Sequence, residues 1–230
     1  MLEGKERVEV KSYTAIFGAY DQIDTPRLIS RDVEYIMFTD RDCSIYPWRI
    51  IPQTLNGLTP TRAARKRKIL SHLYVDTEYS VWVDGNIDLL VSPKLTCETY
   101  LKKTDIAMFG HPHRRTIYEE AQECLRPIAV RDKPILINTQ VQRYQKEGFS
   151  GETLMSTGVL LRRHTPQIVE FNEMWWEELR NNSHRDQLSF PYVAWKMGLK
   201  IMRIPGNIFS DGKVYYKFQH AGRPNQPKFA

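Results

Sequence analysis

Cysteines, long apolar runs and a large excess of charge are all scarce in this sequence, and each shortage excludes a class of protein. The 230 residues include three cysteines, Cys43, Cys97 and Cys124, which lie far apart and form no CxxC pair. This spacing argues against a disulfide framework and against a zinc cluster. No stretch approaches the ~20 apolar residues of a membrane span. The first ten residues, MLEGKERVEV, lack the apolar centre of a secretory signal.

The charge is basic but modest. A formal net charge of +6 and a pI near 9.2 leave a polyanionic partner such as nucleic acid open. An enzyme for a phosphorylated substrate carries the same surplus of Lys and Arg, and we favour that interpretation. We expect a soluble cytoplasmic protein of bacterial or viral type, or a piece of a longer chain without its anchor.

Runs of β-branched and aromatic residues alternate along the chain with segments of helical periodicity. Strands are predicted at residues 8–17, 33–38, 81–83, 106–109, 158–161 and 199–204, and helices at 61–74, 117–125, 134–147, 166–180 and 185–195. Strands separated by helices predict an α/β fold with a mostly parallel central sheet and helices on both faces. We expect one domain over residues 1–230, with its core at about 12–222 and an irregular tail at 223–230.

The helix predicted at 61–74 carries cations on its inward side. Its apolar stripe consists of Ile69, Leu70 and Leu73. Arg62 and Lys66 share the azimuth of Leu73, and Arg65 lies beside Ile69. Either these side chains reach solvent at the helix end, or an anion lies there, which would be the acids of the following strand or a ligand phosphate.

Polar residues follow several of the predicted strands. The stretch YSVWVDGNIDLL, residues 79–90, ends an apolar strand with Asp84, Asn86 and Asp88. Ligands of open α/β sheets collect beyond the carboxyl ends of the strands, and such oxygens suit a hard divalent cation. The alternative is an ordinary Asp-Gly turn. Thr39 and Asp40 likewise follow a strand, and Ser156, Thr157 and Gly158 form a polar entry into another. Asp186 in RDQLSF is a further polar residue, but it can equally cap a helix.

The stretches TAIFGAY, FTD, a basic helix, WVDGNIDL, FGHPHRRTIYEEA, STGVLL and RDQLSF follow one another in this order. In that order they resemble the domain, long described as of unknown function, of plant Golgi glycosyltransferases for mucilage and turgor control. The layout is similar more broadly to GT-A glycosyltransferases of the glycogenin and galactosyltransferase kind. The resemblance implies a single-domain, Rossmann-like GT-A fold, a nucleotide-sugar donor such as a UDP-sugar, Mn²⁺ or Mg²⁺, and transfer to a hydroxyl of a saccharide or other acceptor.

The resemblance also implies roles for individual residues. Asp84 and Asn86 match the Asp-x-Asp metal motif, with Asp88 assisting and His220 completing the shell in a segment that includes Gly222, Pro227 and Lys228. The predicted donor-binding residues are Thr14, Ala15, Phe17, Tyr20, Asp40, Arg62, Arg65, Lys66, Gly158 and Lys228, with the Tyr20 ring stacked on the base. Asn at the third motif position departs from the pattern, as does the spacing around His220.

The segment FGHPHRRTIYEEA admits three interpretations. Its acids can cap a helix, its two histidines can begin a zinc site that lacks two further ligands, or it can contact the acceptor and the sugar. We favour the third, with contacts predicted for His111, His113, Arg114 and Glu119.

The stereochemistry of transfer depends on whether a carboxylate serves as base. An inverting enzyme needs one beside the acceptor hydroxyl, and Asp186 and Glu120 are the candidates. The Asp186–Gln187 pair resembles retaining, glycogenin-like enzymes, so Asp186, Gln187 and Glu120 are the predicted catalytic residues and retention is favoured. Two alternatives stay open: an acceptor that is a modified base of DNA, and a metal-dependent phosphohydrolase or a non-catalytic binding protein.

Overall fold

The computed structural model describes residues 9–18, 20–126, 132–209 and 212–216. Nine strands lie in these residues: β1 Val10–Ile16, β2 Glu34–Thr39, β3 Trp48–Pro52, β4 Tyr79–Val83, β5 Ile87–Leu89, β6 Ile106–Gly110, β7 Met155–Arg163, β8 Met202–Ile204 and β9 Val214–Tyr216. The helices are α1 Pro60–Ile69, α2 Pro93–Tyr100, α3 Ile117–Leu125, α4 Pro134–Lys146, α5 Pro166–Asn181 and α6 Asp186–Lys196, and a 3₁₀ turn, Ser71–Leu73, follows α1.

Seven strands form the central sheet in the order β3-β2-β1-β4-β7-β6-β8, while β5 and β9 pair separately. Strand β7 runs antiparallel to its neighbours β4 and β6, and the other pairs of the sheet are parallel. The predicted α/β fold with a mostly parallel sheet is therefore confirmed. The extent of the domain at 1–230 stays a prediction.

Helix starts follow local chemistry. The Thr59 hydroxyl accepts a hydrogen bond from the backbone N–H of Arg62 at the start of α1, and Pro60 occupies the first turn. Ser92 and Pro93 begin α2 in the same way. A side-chain acceptor satisfies an unpaired N–H of the first turn, and proline loses no hydrogen bond there.

Two apolar cores cover the two faces of the sheet. On one face α1, α5 and α6 pack over Tyr13, Ala15 and Trp82. On the other face α2 and the β5–β9 pair pack over Val81 and Val83. Successive residues of a strand point to opposite faces, so β1 and β4 contribute to both cores. In the part of the chain that the structure describes, no helix has both the length and the apolar character needed to cross a membrane.

The predicted stripe of α1 is partly wrong. Ile69 and Leu70 are buried, but Leu73 is 58% exposed. The helix ends at Ile69 and a 3₁₀ turn follows, so the 100° rotation per residue does not extend to residue 73. The buried face of the helix contains Ala63, Arg67, Lys68 and Ile69 instead.

Candidate active site

Asp84 lies directly after β4, where the chain leaves the sheet. Its backbone N–H donates to the Gly158 carbonyl at 2.8 Å, and its own carbonyl accepts from the Ile87 N–H at 2.9 Å, which closes a turn. The side chain is 21% exposed. The carboxylate is therefore held at the carboxyl edge of the sheet with access to solvent.

A buried lysine that the sequence analysis missed lies beside it. The Lys68 ammonium, 0% exposed, is 2.7 Å from Asp186 Oδ2 and 3.4 Å from Asp84 Oδ1. Burial lowers the pKa of Lys68 below its usual value, while Asp186 and Asp84 oppose that change. Lys68 thus links the end of β4 to the start of α6.

Asp186 is buried at the first turn of α6. Its Oδ2 accepts from Lys68 Nζ and from Thr157 Oγ1 at 3.0 Å, and Arg65 Nε lies 3.3 Å away. Burial by itself would raise the pKa of this carboxyl. The cations Arg65, Lys68 and Arg185 outweigh burial and hold the pKa well below its usual value of 3.8. For Asp186 Oδ1, no hydrogen-bond partner lies among the described residues.

The three predicted cations of α1 have separate surroundings. The Arg65 guanidinium lies at the site, 4.0 Å from Asp84 Oδ1. Arg62 instead donates to the carbonyls of Leu179 and Asn182, at the end of α5, at 3.0 and 2.8 Å. A cation there stabilises the unpaired carbonyls of a helix terminus, so the placement of Arg62 at the donor is corrected. Lys66 is half-buried.

A cleft of about 460 Å³ runs along this end of α1 and β1. Its walls include Ala15, Phe17, Tyr20, Arg65 and Asp84. Four predicted donor residues and the predicted metal ligand Asp84 therefore share one cavity.

Thr14 does not line this cleft. It lines a second cavity, of about 440 Å³, together with Asp88, and Asp84 lines both cavities. Neighbouring residues of a strand point to opposite faces, so the side chains of Thr14 and Ala15 point to opposite sides of β1. Thr14 thus lies in the other cavity, and its predicted role at the donor base stays a prediction.

Asp40 fixes the turn after β1. Both of its oxygens accept from the Gly18 N–H, at 2.9 and 3.1 Å, and Arg41 Nε donates to the Gly18 carbonyl at 2.5 Å. Gly18 has φ +60°, a left-handed conformation that favours glycine. Asp40 thereby acts on the loop that leads to Tyr20.

Gly158 lies against the predicted metal motif. A Cβ at this position would lie 3.5 Å from Asp84 Oδ2 and 2.6 Å from Ile87 Cδ1. Any side chain would therefore displace Ile87 and would come into van der Waals contact with Asp84 Oδ2.

The other predicted metal ligands are less close together. Asn86 and Asp88 are 2% and 4% exposed, and Arg27 Nε lies 3.9 Å from Asp88 Oδ2. His220 and Lys228 lie outside the described residues. Within the described ranges, no three His, Cys, Asp or Glu side chains are grouped to hold a metal ion by themselves. The residues present fit an ion that takes one or two protein oxygens and shares the phosphates of a ligand.

The histidines after β6 form a compact loop. His111 Nδ1 accepts from the backbone N–H of Arg114 at 3.0 Å and of His113 at 3.3 Å. Burial, with Arg114 beside the ring, lowers the pKa of His111 to about 4. The exposed His113 ring stacks on Phe209 at 5.8 Å. Of the two histidines predicted to contact the acceptor, His113 is thus exposed and His111 is half-buried.

Glu119 and Glu120, the acids of this segment, form hydrogen bonds and ion pairs within the protein. Glu119 accepts from the Arg115 N–H at 2.7 Å, and its own N–H donates to the Thr116 hydroxyl at 3.1 Å, so it caps α3. Buried Glu120 pairs with Arg114 at 2.6 Å and Arg185 at 2.7 Å. The capping interpretation describes Glu119, and Glu120 ties the histidine loop to the residue before Asp186.

Comparison with known proteins gives a consistent result. The family model described as TOD1/MUCI70, glycosyltransferase-like domain, matches residues 3–220. The Arabidopsis thaliana "Probable hexosyltransferase MUCI70" is 26% identical over 261 residues, covering 100% of this chain and 45% of the relative. The Arabidopsis thaliana "Alkaline ceramidase TOD1" is 27% identical over 173 residues, covering 66% of this chain and 36% of that protein. This chain thus spans less than half the length of either relative.

The fold also has a solved counterpart. The apo structure of mouse xyloside xylosyltransferase 1 matches with a TM-score of 0.50 and 8% identity, covering 95% of this chain and 99% of that one. At this identity the likeness concerns the fold alone, and it confirms the predicted GT-A-like architecture.

Proposed function

The protein belongs to the TOD1/MUCI70 glycosyltransferase-like family, and we propose that it transfers a sugar from a nucleotide-sugar donor, a UDP-sugar, to a hydroxyl of a saccharide or other acceptor. The observation that carries the proposal is that Asp84 and Arg65 line a cleft and form one ion cluster with the buried Lys68 and Asp186. Cations beside a carboxylate at a strand end suit a diphosphate and a metal ion together.

The donor occupies the cleft along β1 and α1. Phe17 and Tyr20 line its outer part, where an aromatic ring can stack on the base. Arg65 lines the cleft beside Asp84 and would stabilise the charge of the diphosphate as it leaves, while the buried Lys68 lies 3.4 Å from Asp84 Oδ1. Asp84 would hold Mn²⁺ or Mg²⁺, with Asn86 as second ligand, and the ion would supply charge neutralisation to the leaving diphosphate.

Asp186 binds the transferred sugar. Its Oδ1 is buried and has no hydrogen-bond partner among the described residues, so it has capacity to accept from a sugar hydroxyl. Gln187 follows it in the first turn of α6 and donates to the Met155 carbonyl at 3.3 Å. In this proposal the sugar contacts Asp186, which pairs with Arg65 and Lys68, and the neighbouring Gln187.

The carboxylates favour retention. A general base works best with a pKa near the working pH. The pKa of Asp186 is held well below its usual value, and Arg185 and Arg114 outweigh burial to lower the pKa of Glu120 as well. Neither is a suitable base, so the acceptor proton passes to the leaving diphosphate in a front-face attack, and Glu120 positions Arg185 and Arg114.

A panel of UDP-sugars and GDP-sugars tests the proposal. The purified chain with Mn²⁺ is expected to hydrolyse or transfer from at least one UDP-sugar, and Asp84→Ala is expected to abolish this turnover. The anomeric configuration of the product, read by NMR, distinguishes retention from inversion. Absence of donor binding at every metal concentration would refute the proposal.

Three counter-assays separate the alternatives. Because one relative is named an alkaline ceramidase, release of fatty acid from a fluorescent ceramide should be measured beside sugar transfer. Salt-dependent retardation of DNA that carries hydroxylated bases would indicate a nucleic-acid acceptor instead. Phosphate release from simple esters without sugar transfer would indicate a phosphohydrolase.

A further inference from the structure

Trp82 and Asp84 are two residues apart at the end of β4, and their side chains meet. The indole Nε1 donates to Asp84 Oδ1 at 2.7 Å, and Trp82 is 1% exposed. A buried indole N–H needs an acceptor. Here the acceptor is the carboxylate that the proposed function assigns to the metal.

The two oxygens of Asp84 have different surroundings. Oδ1 receives the indole N–H and also lies 3.4 Å from Lys68 Nζ and 4.0 Å from Arg65 Nη1. Oδ2 lies on the side of Gly158, where a Cβ would approach it to 3.5 Å. Oδ1 thus has the hydrogen-bonded partners, whereas Oδ2 has no hydrogen bond among the described residues.

The indole itself is fixed in place. Tyr13 packs edge-on against it, with ring centroids 5.2 Å apart and planes at 72°. Lys68 Nζ lies 5.5 Å from the centroid of its ring. Trp82 therefore cannot turn away from Asp84 without disturbing two other buried side chains.

We propose that Trp82 is a positioning residue, whose indole N–H holds Asp84 Oδ1 so that Oδ2 is directed to a divalent metal. The inference rests on the proposed function, because it requires a metal at Asp84. Hydrogen bonds to a ligating carboxylate fix its orientation, and their loss typically costs about 10–100-fold in metal affinity.

The Trp82→Phe variant removes the N–H and keeps an aromatic ring. Mn²⁺ affinity is measured with UDP present, by the electron paramagnetic resonance signal of free Mn²⁺. The dissociation constant for Mn²⁺ is expected to rise about 10–100-fold. In a turnover assay, saturating Mn²⁺ is expected to restore kcat, while the concentration for half-maximal rate rises.

The matched control is Trp175→Phe. Trp175 is 0% exposed, and its indole donates to Ser189 Oγ at 3.0 Å, so this variant also loses a buried indole hydrogen bond. Its Mn²⁺ affinity is expected to equal that of the wild type. Circular dichroism and Tm establish that each variant is folded, and Trp82→Leu replaces Trp82→Phe if the latter does not fold.

The possible outcomes distinguish an error in the role of Trp82 from an error in the proposed function. If the wild type binds Mn²⁺ with UDP and Trp82→Phe binds it equally well, the positioning role is wrong and the proposed function stands. Equal losses in Trp82→Phe and Trp175→Phe would point to general destabilisation and would also overturn the inference. A wild type that binds no Mn²⁺ with UDP or GDP refutes the proposed function and, with it, the role of Trp82.

Discussion

Removal of the Lys68 ammonium tests the central ion cluster. In Lys68→Met an apolar side chain of similar length replaces the lysine, and Asp186, 1% exposed, loses its nearest cation at 2.7 Å. Arg65 at 3.3 Å and Thr157 at 3.0 Å remain as partners. The negative charge of Asp186 is therefore still partly balanced in this variant.

The expected loss follows from these contacts. Removing one partner of a buried ion pair costs about 3–5 kcal/mol of unfolding free energy. Because Asp186 keeps two partners, we expect Lys68→Met to lose about 3 kcal/mol, near the lower end of this range. For a chain of this length, 1 kcal/mol corresponds to about 2–4 °C in Tm, so a decrease of about 6–12 °C is expected. The double variant Lys68→Met/Asp186→Leu removes both charges and should lose less than the sum of the two single variants.

The assay is thermal and urea unfolding of the wild type, the two single variants and the double variant. Lys66→Met is the matched control, since Lys66 is half-buried on the same helix and no ion pair of it is found among the described residues. A Lys68→Met protein as stable as Lys66→Met would refute the buried pair. Strictly additive losses in the double variant would show that Lys68 and Asp186 do not interact.

Three further predictions concern the cleft, α1 and the buried histidines. Tyr20→Ala is expected to weaken UDP binding by about 1–3 kcal/mol if the ring stacks on the base, while Tyr20→Phe leaves the Kd near that of the wild type; equal Kd values for both variants would contradict stacking. Arg62→Ala should cost about 1–2 kcal/mol of unfolding free energy through its lost hydrogen bonds and leave the donor KM unchanged, whereas Arg65→Ala should raise that KM. Burial lowers the pKa of His164 from 6.5 to about 4. Between these two pH values the unfolded state binds more protons than the folded state, so the free energy of unfolding falls as the pH decreases from 6.5 to about 4. His164→Gln should flatten this acid slope, and an unchanged slope in urea titrations would exclude the contribution.

Much of the fold was predictable because its strands are apolar or alternating and its helices have clear starts. The bounds predicted for α3 match the structure, and the sheet is mostly parallel as expected. The missed elements are short or amphiphilic: β3 ends in Pro52, β5 and β9 have three residues each, and α2 carries many polar residues. Their formation depends on the neighbours they pair with, which local sequence does not reveal.

Single residues of the candidate site were predictable from the local sequence, whereas contacts between separate helices and strands were not. Asp84 was found because an acid directly follows a buried strand. Lys68 was missed because the helical projection was extended to Leu73, beyond the end of α1. The period-two alternation of β1 could have separated Thr14 from Ala15 from sequence alone. Nothing local indicates that Arg62 caps a helix 117 residues away.

The charges of the site explain why metal and diphosphate should bind together. Two cations, Arg65 and Lys68, already face two carboxylates, Asp84 and Asp186, and one ammonium contacts both acids. A metal ion alone would compete with these cations for Asp84, and a diphosphate alone would meet the two carboxylates. Bound together, the ion and the diphosphate offset each other's charge and leave the pairs intact. Under the proposed function, each ligand is expected to raise the affinity for the other by the same factor, with Asp84 Oδ1 held by the Trp82 indole and Oδ2 left for the metal.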